Sequence, residues 1–251
     1  MSNSEIFWSA SLEEVKLGYT EDQNKFICLL CGEEIHKGVI YPHENVLYEA
    51  KRFIRLHIEQ MHGSVFDYLL GLDKKLTGLT EHQTALLRNF YAGKTDKEVQ
   101  EEMGIGSGST IRHHRFVLKE KERQAKTLLA IMELLKEKDQ YAPAFVAPHK
   151  HATMVDDRYD ITTDEQKKVL DKYFLEGLTG PLNKFPPKEK QRLIVLRAIA
   201  DRLDPKVIYT EQELNHILSS IYDDYVLIRR YLIEYALIDR KADGSAYWVK
   251  K

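Results

Sequence analysis

The sequence has few of the residues that define disulfide-rich, collagen-like or low-complexity proteins. Its 251 residues include two cysteines, seven prolines and 13 glycines. Two cysteines with only two residues between them cannot form a disulfide framework, which favours a reducing, cytoplasmic compartment. The low content of glycine and proline excludes collagen-like and repetitive disordered chains.

Long apolar runs and an excess of charge of one sign are also missing. No stretch approaches the roughly 18 consecutive apolar residues of a membrane span. Residues 1–14 lack the apolar segment of a secretory signal. The 37 basic and 39 acidic residues give a formal charge of −2. We therefore expect no membrane partner, and a nucleic-acid site has to be a local basic patch.

The composition is that of a globular protein, with 43% hydrophobic and 30% charged residues. Helical periodicity and turn residues predict a mainly α, multi-domain fold with four regions. These regions are a cysteine- and histidine-containing module at 1–73, a helical domain at 76–138, a proline-containing linker at 139–162 and a C-terminal domain at 163–251. Because no phosphate-binding glycine loop and no nucleophile elbow are visible, we do not expect an enzyme.

Two cysteines and two histidines have the spacing of a zinc site. Cys28 and Cys31 flank a tight turn between two predicted strands. His57 and His62 lie at the end of a predicted helix, so that the whole pattern is C-x2-C-x25-H-x4-H. Asn45 is the expected N-cap of that helix. Four ligands at these spacings indicate a closed, structural Zn²⁺ site rather than a catalytic one.

The order of strand, knuckle, strand and helix resembles that of a Cys2His2 zinc finger, a small ββα module. The resemblance implies a zinc-stabilised fold. The 25 residues between Cys31 and His57 are about twice the roughly 12 of DNA-reading fingers, so the resemblance does not extend to base reading by this helix. Two alternatives remain, because the cysteines could instead be buried apolar residues or a redox pair.

The region 76–138 carries repeated signals for the start of a helix. Thr80 and Gln83 have the spacing of a capping box, and Thr95 and Glu98 repeat it at a second helix. Residues 104–106, Gly-Ile-Gly, predict the turn before a third helix, because glycine permits the positive φ that such a turn needs. This order predicts three helices joined by short turns.

The third predicted helix is locally basic. Between Arg112 and Lys126 it has six basic and two acidic side chains, a net charge of +4 in a chain of −2. A cationic helix after a turn suits the major groove of DNA, where its first residues reach base edges and flanking cations hold phosphates. Its continuation to about residue 138 carries an apolar stripe, formed by Leu128, Leu129, Met132 and Leu135. The alternative is a helical hairpin with a solvated basic face.

Residues 79–121 resemble the LuxR/GerE-type helix-turn-helix of bacterial transcription regulators. The resemblance rests on Leu79-Thr80, on the segments 93–99 and 103–105, and on Thr110-Ile-Arg-His-His-Arg. The turn at 106–109 is one residue longer than is usual in the family. The resemblance implies that the helix from about Ser109 enters the major groove, and proteins of this type commonly bind DNA as homodimers. The implied DNA-binding residues are Lys97, Ser109, Thr110, Arg112, His113, Arg115 and Lys119.

The C-terminal region has the pattern of helices followed by a hairpin. Asp243 and Gly244 supply the turn between two short predicted strands, which gives the element order of a winged helix. The region resembles a bacterial domain of unknown function that recurs at the C-terminus of transcriptional regulators. Arg229 and Arg230 favour DNA contact by this domain, whereas Asp223 at the start of the same helix opposes it.

These features predict a sequence-specific DNA-binding transcription regulator. Its expected partners are double-stranded DNA and a second copy of the chain, and its expected cofactor is structural Zn²⁺. The alternative is a protein-interaction adaptor that docks on RNA polymerase or another regulator through the zinc module. The sequence indicates neither the operator nor an effector.

Overall fold

The computed structural model of the chain describes residues 3–152 and 155–250. The chain forms two compact units, one made from residues 1–76 together with 144–251 and the other from residues 77–143. Helices dominate both, in agreement with the expected mainly α, multi-domain fold. None of the helices in the described ranges is both long enough and apolar enough to cross a membrane.

The N-terminal part of the first unit combines short strands with one long helix. Its elements are α1 (Asn3–Ser9), α2 (Leu12–Leu17), β1 (Tyr19–Glu21), β2 (Lys25–Cys28), β3 (Glu34–His36), β4 (Ile40–His43), β5 (Val46–Glu49), α3 (Ala50–His62), α4 (Val65–Leu70) and α5 (Lys74–Thr77). The strands β1, β2 and β3 form an antiparallel sheet. Phe26, Ile35, Ile54 and Ile58 are buried between this sheet and α3. This small core positions the knuckle after β2 beside the end of α3.

The long spacer between the cysteines and histidines folds as an additional hairpin. β4 and β5 pair antiparallel, with His43 opposite Val46. Asn45 lies in the turn of this hairpin with a φ of 63°, so its expected role as a helix N-cap is wrong. Asparagine tolerates the left-handed conformation that a two-residue hairpin turn needs, and here that property decides its position. Helix α3 begins five residues later, at Ala50.

The second unit contains the three expected helices, α6 (Glu81–Tyr91), α7 (Asp96–Met103) and α8 (Gly108–Lys136). Both expected capping boxes form, because the Thr80 and Thr95 hydroxyls accept hydrogen bonds from the backbone N–H groups three residues on. Leu86, Val99 and Ile111 contribute one fully buried side chain from each helix. The core of the second unit is therefore small, and α8 contributes to it only through its first turns.

The C-terminal part of the first unit follows the predicted order of helices and hairpin. Its elements are α9 (Thr163–Tyr173), α10 (Glu189–Ala200), α11 (Glu211–Ser219), α12 (Tyr225–Glu234), β6 (Ile238–Arg240) and β7 (Tyr247–Val249). β6 and β7 pair antiparallel around a turn in which Gly244 has a φ of 73°. Helix α10 lies at the centre of the core, where Leu193, Val195, Leu196 and Ile199 are fully buried.

Much of the segment expected to be a linker is packed into this core. Val146, Ala152 and Ile161 are buried with the side chains of α10. A β-bridge joins Phe145 to Thr162. The prolines exclude a helix here, but they do not prevent burial, and the apolar residues between them give the segment a surface to pack. The first unit therefore includes residues 144–162, whereas the sequence placed them between domains.

Candidate functional site

The two cysteines and two histidines of the zinc pattern lie together. Their four donor atoms are all within 4.8 Å of one another, and this is the metal-ligand cluster found among the described residues. Cys28 ends β2, and the turn after it is closed by a hydrogen bond from the Gly32 N–H to the Cys28 carbonyl at 2.7 Å. His57 and His62 lie on the last turns of α3. The cluster is thus held by one strand end and one helix end.

The distances between donors fit a tetrahedral zinc ion. The Sγ atom of Cys31 lies 3.2 Å from Nε2 of His57, and Sγ of Cys28 lies 3.7 Å from Nε2 of His62. Zn–S bonds of about 2.3 Å and Zn–N bonds of about 2.0 Å at a tetrahedral angle place S and N about 3.5 Å apart. Four soft or borderline donors with no carboxylate among them are also the preferred set for zinc. The residues present therefore fit Zn²⁺.

The two thiols lie close enough to shift each other's pKa values. The hydrogen bond between the sulfurs raises the pKa of Cys28 and lowers the pKa of Cys31, and burial adds to the increase at Cys28. Since a metal binds thiolates, metal binding at this site would release thiol protons.

Lys150, a buried lysine from the C-terminal half of the chain, binds the backbone of the knuckle between the two cysteines. The Lys150 ammonium donates hydrogen bonds to the carbonyls of Leu29 and Leu30, the two residues between the cysteines, at 2.9 and 2.8 Å. Tyr68 donates from its hydroxyl to the Leu30 carbonyl at 3.1 Å. Burial lowers the pKa of Lys150 to about 8, while the nearby sulfurs of Cys28 and Cys31 oppose that shift. These contacts fix the backbone that presents both sulfurs.

The start of α8 presents an outward polar face. Ser109, Thr110, Arg112 and His113 are all exposed, and they occupy the first two turns of the helix. Arg112 makes no hydrogen bond or ion pair with any residue that the structure describes. On α7, Lys97 is 85% exposed, with its ammonium 4.0 Å from Glu101. The structure therefore leaves these five predicted DNA-binding side chains accessible.

The other two predicted DNA-binding residues have partners within their own unit. The Arg115 guanidinium lies over the Phe90 ring at 3.6 Å from its centroid and pairs with Asp96 at 2.8 Å. Lys119 pairs with Glu122 at 2.6 Å on the same helix face. Arg115 therefore joins α8 to α6 and α7, and its charge is already partly neutralised.

The candidate basic helix of the C-terminal domain is partly neutralised as well. Arg229 on α12 pairs with Glu211 at 2.7 Å and lies over the Tyr247 ring. The Asp224 carboxylate caps α12 by accepting a hydrogen bond from the Leu227 N–H. Arg230 remains exposed. This helix thus begins with an acidic cap and offers less cationic surface than α8.

The comparisons with known proteins concern this C-terminal domain. Residues 181–249 match a family described as an uncharacterized protein conserved in bacteria, DUF2087. The C-terminal domain is similar to DUF2087. No curated protein and no solved structure matches the chain. The finding confirms the expected resemblance to a bacterial domain of unknown function, while the resemblance of residues 79–121 to LuxR-type regulators stays a prediction.

The DUF2087-like region, residues 181–249, contributes to a buried polar environment that the sequence pattern did not indicate. His149 donates from Nε2 to the Tyr235 carbonyl at 2.8 Å, and its Nδ1 atom is buried without a partner. Arg197 on α10 donates to the Ala147 carbonyl at 2.9 Å. Residue spacing could not indicate these contacts, because they join residues far apart in the chain.

Proposed function

We propose that this chain is a sequence-specific DNA-binding transcription regulator in which α6, α7 and α8 act as a helix-turn-helix. The observation that carries the proposal is the accessible face at the start of α8, where Arg112 is unpaired among the described residues and is flanked by exposed Ser109 and His113. Arginine on the first turns of such a helix reaches the guanine edge in the major groove. The burial of Ile111 on the opposite side supports this orientation.

The second part of the proposal is that α8 pairs with α8 of another copy. Ala125, Leu128, Met132 and Leu135 follow one another at alternating steps of three and four residues, which is the spacing of a coiled-coil seam. All residues of 121–138 are exposed. The same stripe on a second copy can pack against these exposed apolar side chains and bury them. A two-fold dimer also matches the symmetry of paired DNA half-sites.

The third part concerns the metal. Cys28, Cys31, His57 and His62 would hold Zn²⁺, which supplies a cross-link between β2 and α3 in a module whose core is too small to be stable alone. Lys150 and Tyr68 hold the carbonyls of the knuckle and so orient the two sulfurs. This role is structural, because four protein ligands leave no open position for a substrate.

Salt dependence of DNA binding tests the proposal as a whole. DNA selected from a random pool by the full chain should bind less tightly as salt increases, with a log–log slope of about −3.6 if about four phosphates are neutralised. The same titration on unselected DNA should give a similar slope at lower affinity. Failure to enrich any sequence, or an affinity independent of salt, would instead favour the adaptor that docks on RNA polymerase.

Substitutions in the seam should weaken dimer formation without unfolding the chain. Leu128→Glu and Met132→Glu each place a charge in the seam, and loss of about 3 kcal/mol of apolar burial from the two copies should weaken association at least about 100-fold. Ala130→Glu on the opposite face is the matched control. Sedimentation at micromolar concentration measures the result, and a monomeric wild type would contradict the dimer.

A further inference from the structure

A partly open cavity lies within the first unit, beside the metal cluster and the DUF2087-like region. Its volume is about 240 Å³, which is room for about eight water molecules. The residues that matter for its chemistry are His149, Lys150, His151, Arg197, Asp201 and Lys250. Lys150 also holds the knuckle of the zinc site, and Cys31 of that site lines the cavity. Neither the zinc site nor the proposed DNA interface accounts for the other five side chains.

The cavity has more cationic than anionic groups. Among the described residues the Arg197 guanidinium forms no ion pair. Burial lowers the pKa of Arg197, and the nearby Asp201 and Glu5 carboxylates oppose that shift. Lys250 adds a second cation and is only partly neutralised by Asp239 at 3.4 Å. Asp201 is the acidic residue in the lining of the cavity, and burial raises the pKa of its carboxyl group. A buried guanidinium without a carboxylate partner favours an anionic occupant.

His149 adds a second requirement, which is that the occupant carry a hydrogen-bond donor. Because a carbonyl can only accept, the Nε2 atom that faces the Tyr235 carbonyl must carry the proton. Burial lowers the pKa of His149 to about 4, so the ring is neutral near pH 7. Its buried Nδ1 is therefore an acceptor, and it lacks a donor among the described residues. The side chain is 9% exposed. Buried polar atoms are normally paired, so an occupant with a donor would satisfy it.

We propose that this cavity binds a small organic anion that also carries a hydroxyl or amino group. The anionic group would lie against Arg197 and Lys250, and the hydroxyl or amino group would donate to Nδ1 of His149. A volume of about 240 Å³ suits a ligand of the size of a small hydroxy acid, amino acid or phosphorylated polyol. This inference goes beyond the proposed function, because binding of the anion requires neither DNA nor a dimer.

Calorimetric titration of the full, metal-containing chain tests both requirements with three related probes. L-Lactate carries the carboxylate and the hydroxyl, propionate lacks the hydroxyl, and propane-1,2-diol lacks the carboxylate. L-Serine and glycerol 3-phosphate extend the test to an amino donor and a phosphate. We expect a Kd of about 1 mM for at least one of the three complete probes. Propionate should bind at least about tenfold more weakly than L-lactate, and the diol should not bind.

Two cavity variants and one control decide whether binding occurs here. Lys250→Glu reverses a charge near the C-terminus and keeps the backbone bond from its N–H to the Leu237 carbonyl, so it should fold and weaken the best probe at least about tenfold. Arg197→Met should abolish binding, with circular dichroism as a check on its fold. Arg230→Met on α12 should bind as the wild type does. The proposal is overturned if no complete probe binds, if propionate binds as well as the best complete probe, or if Lys250→Glu has no effect.

Discussion

Cys28→Ser should abolish metal binding and destabilise the first unit by at least about 3 kcal/mol. Structural zinc contributes roughly 10–16 kcal/mol of apparent binding free energy in small zinc modules, so loss of one ligand removes a large share of it. The core between the β1–β3 sheet and α3 consists of few side chains and cannot replace that contribution. Native mass spectrometry should find one zinc per wild-type chain and none in the variant. Thermal unfolding monitored by circular dichroism measures the loss of stability.

The matched control for this variant is His36→Ala. His36 is an exposed histidine on β3 of the same module, and its side chain lies outside the metal cluster. It should retain one zinc and unfold at the wild-type temperature. Zinc-free protein that unfolds cooperatively at the same temperature as wild type would contradict a structural metal. A chelator that lowers the unfolding temperature of wild type but not of Cys28→Ser would support it.

Arg112→Ala should reduce affinity for the selected DNA by about 5- to 150-fold with little effect on the fold. A bidentate arginine–guanine contact contributes about 1–3 kcal/mol of discrimination. Because the exposed Arg112 side chain makes no hydrogen bond or ion pair with another described residue, its removal should leave the three-helix core intact. Fluorescence anisotropy with selected and scrambled duplexes measures affinity and specificity together.

Arg112→Lys and Lys136→Ala separate base reading from general charge. Arg112→Lys keeps the cation but loses the planar pair of donors, so it should lower the specificity ratio while binding scrambled DNA as wild type does. Lys136→Ala, at the far end of α8, should leave the specificity ratio unchanged. An undiminished specificity ratio in Arg112→Ala would show that α8 does not read bases. Arg115 is unsuitable for this purpose, because its contacts with Phe90 and Asp96 stabilise the fold.

Sequence reasoning was most successful where the determining interactions are local. The capping boxes of Thr80 and Thr95 form because a hydroxyl and an N–H three residues on are neighbours in any helix start. The β6–β7 turn at Gly244 depends on one residue's conformational freedom. The metal cluster was also predictable, because the short spacing within each pair of ligands limits where its two donors can point.

The rest depended on contacts between residues far apart in the chain. Nothing near Lys150 indicates that its ammonium is buried against the carbonyls of Leu29 and Leu30. A lysine in a polar, proline-containing stretch is normally solvated, so the sequence favoured an exposed linker. Asn45 was misplaced for a different reason, because asparagine suits both helix caps and hairpin turns and the pairing of β4 with β5 decided between them.

The discontinuity of the first unit has a consequence for folding during synthesis. Residues 77–143 leave the ribosome before any of residues 144–251, so their three-helix core can form first. Leu29 and Lys150 are separated by 121 positions, which at about 5–20 residues per second is a delay of roughly 6–24 s. During that interval the knuckle has its two sulfurs and two imidazoles but not the ammonium that later holds its carbonyls. Early capture of zinc would therefore protect the nascent N-terminal module until the second half of its unit arrives.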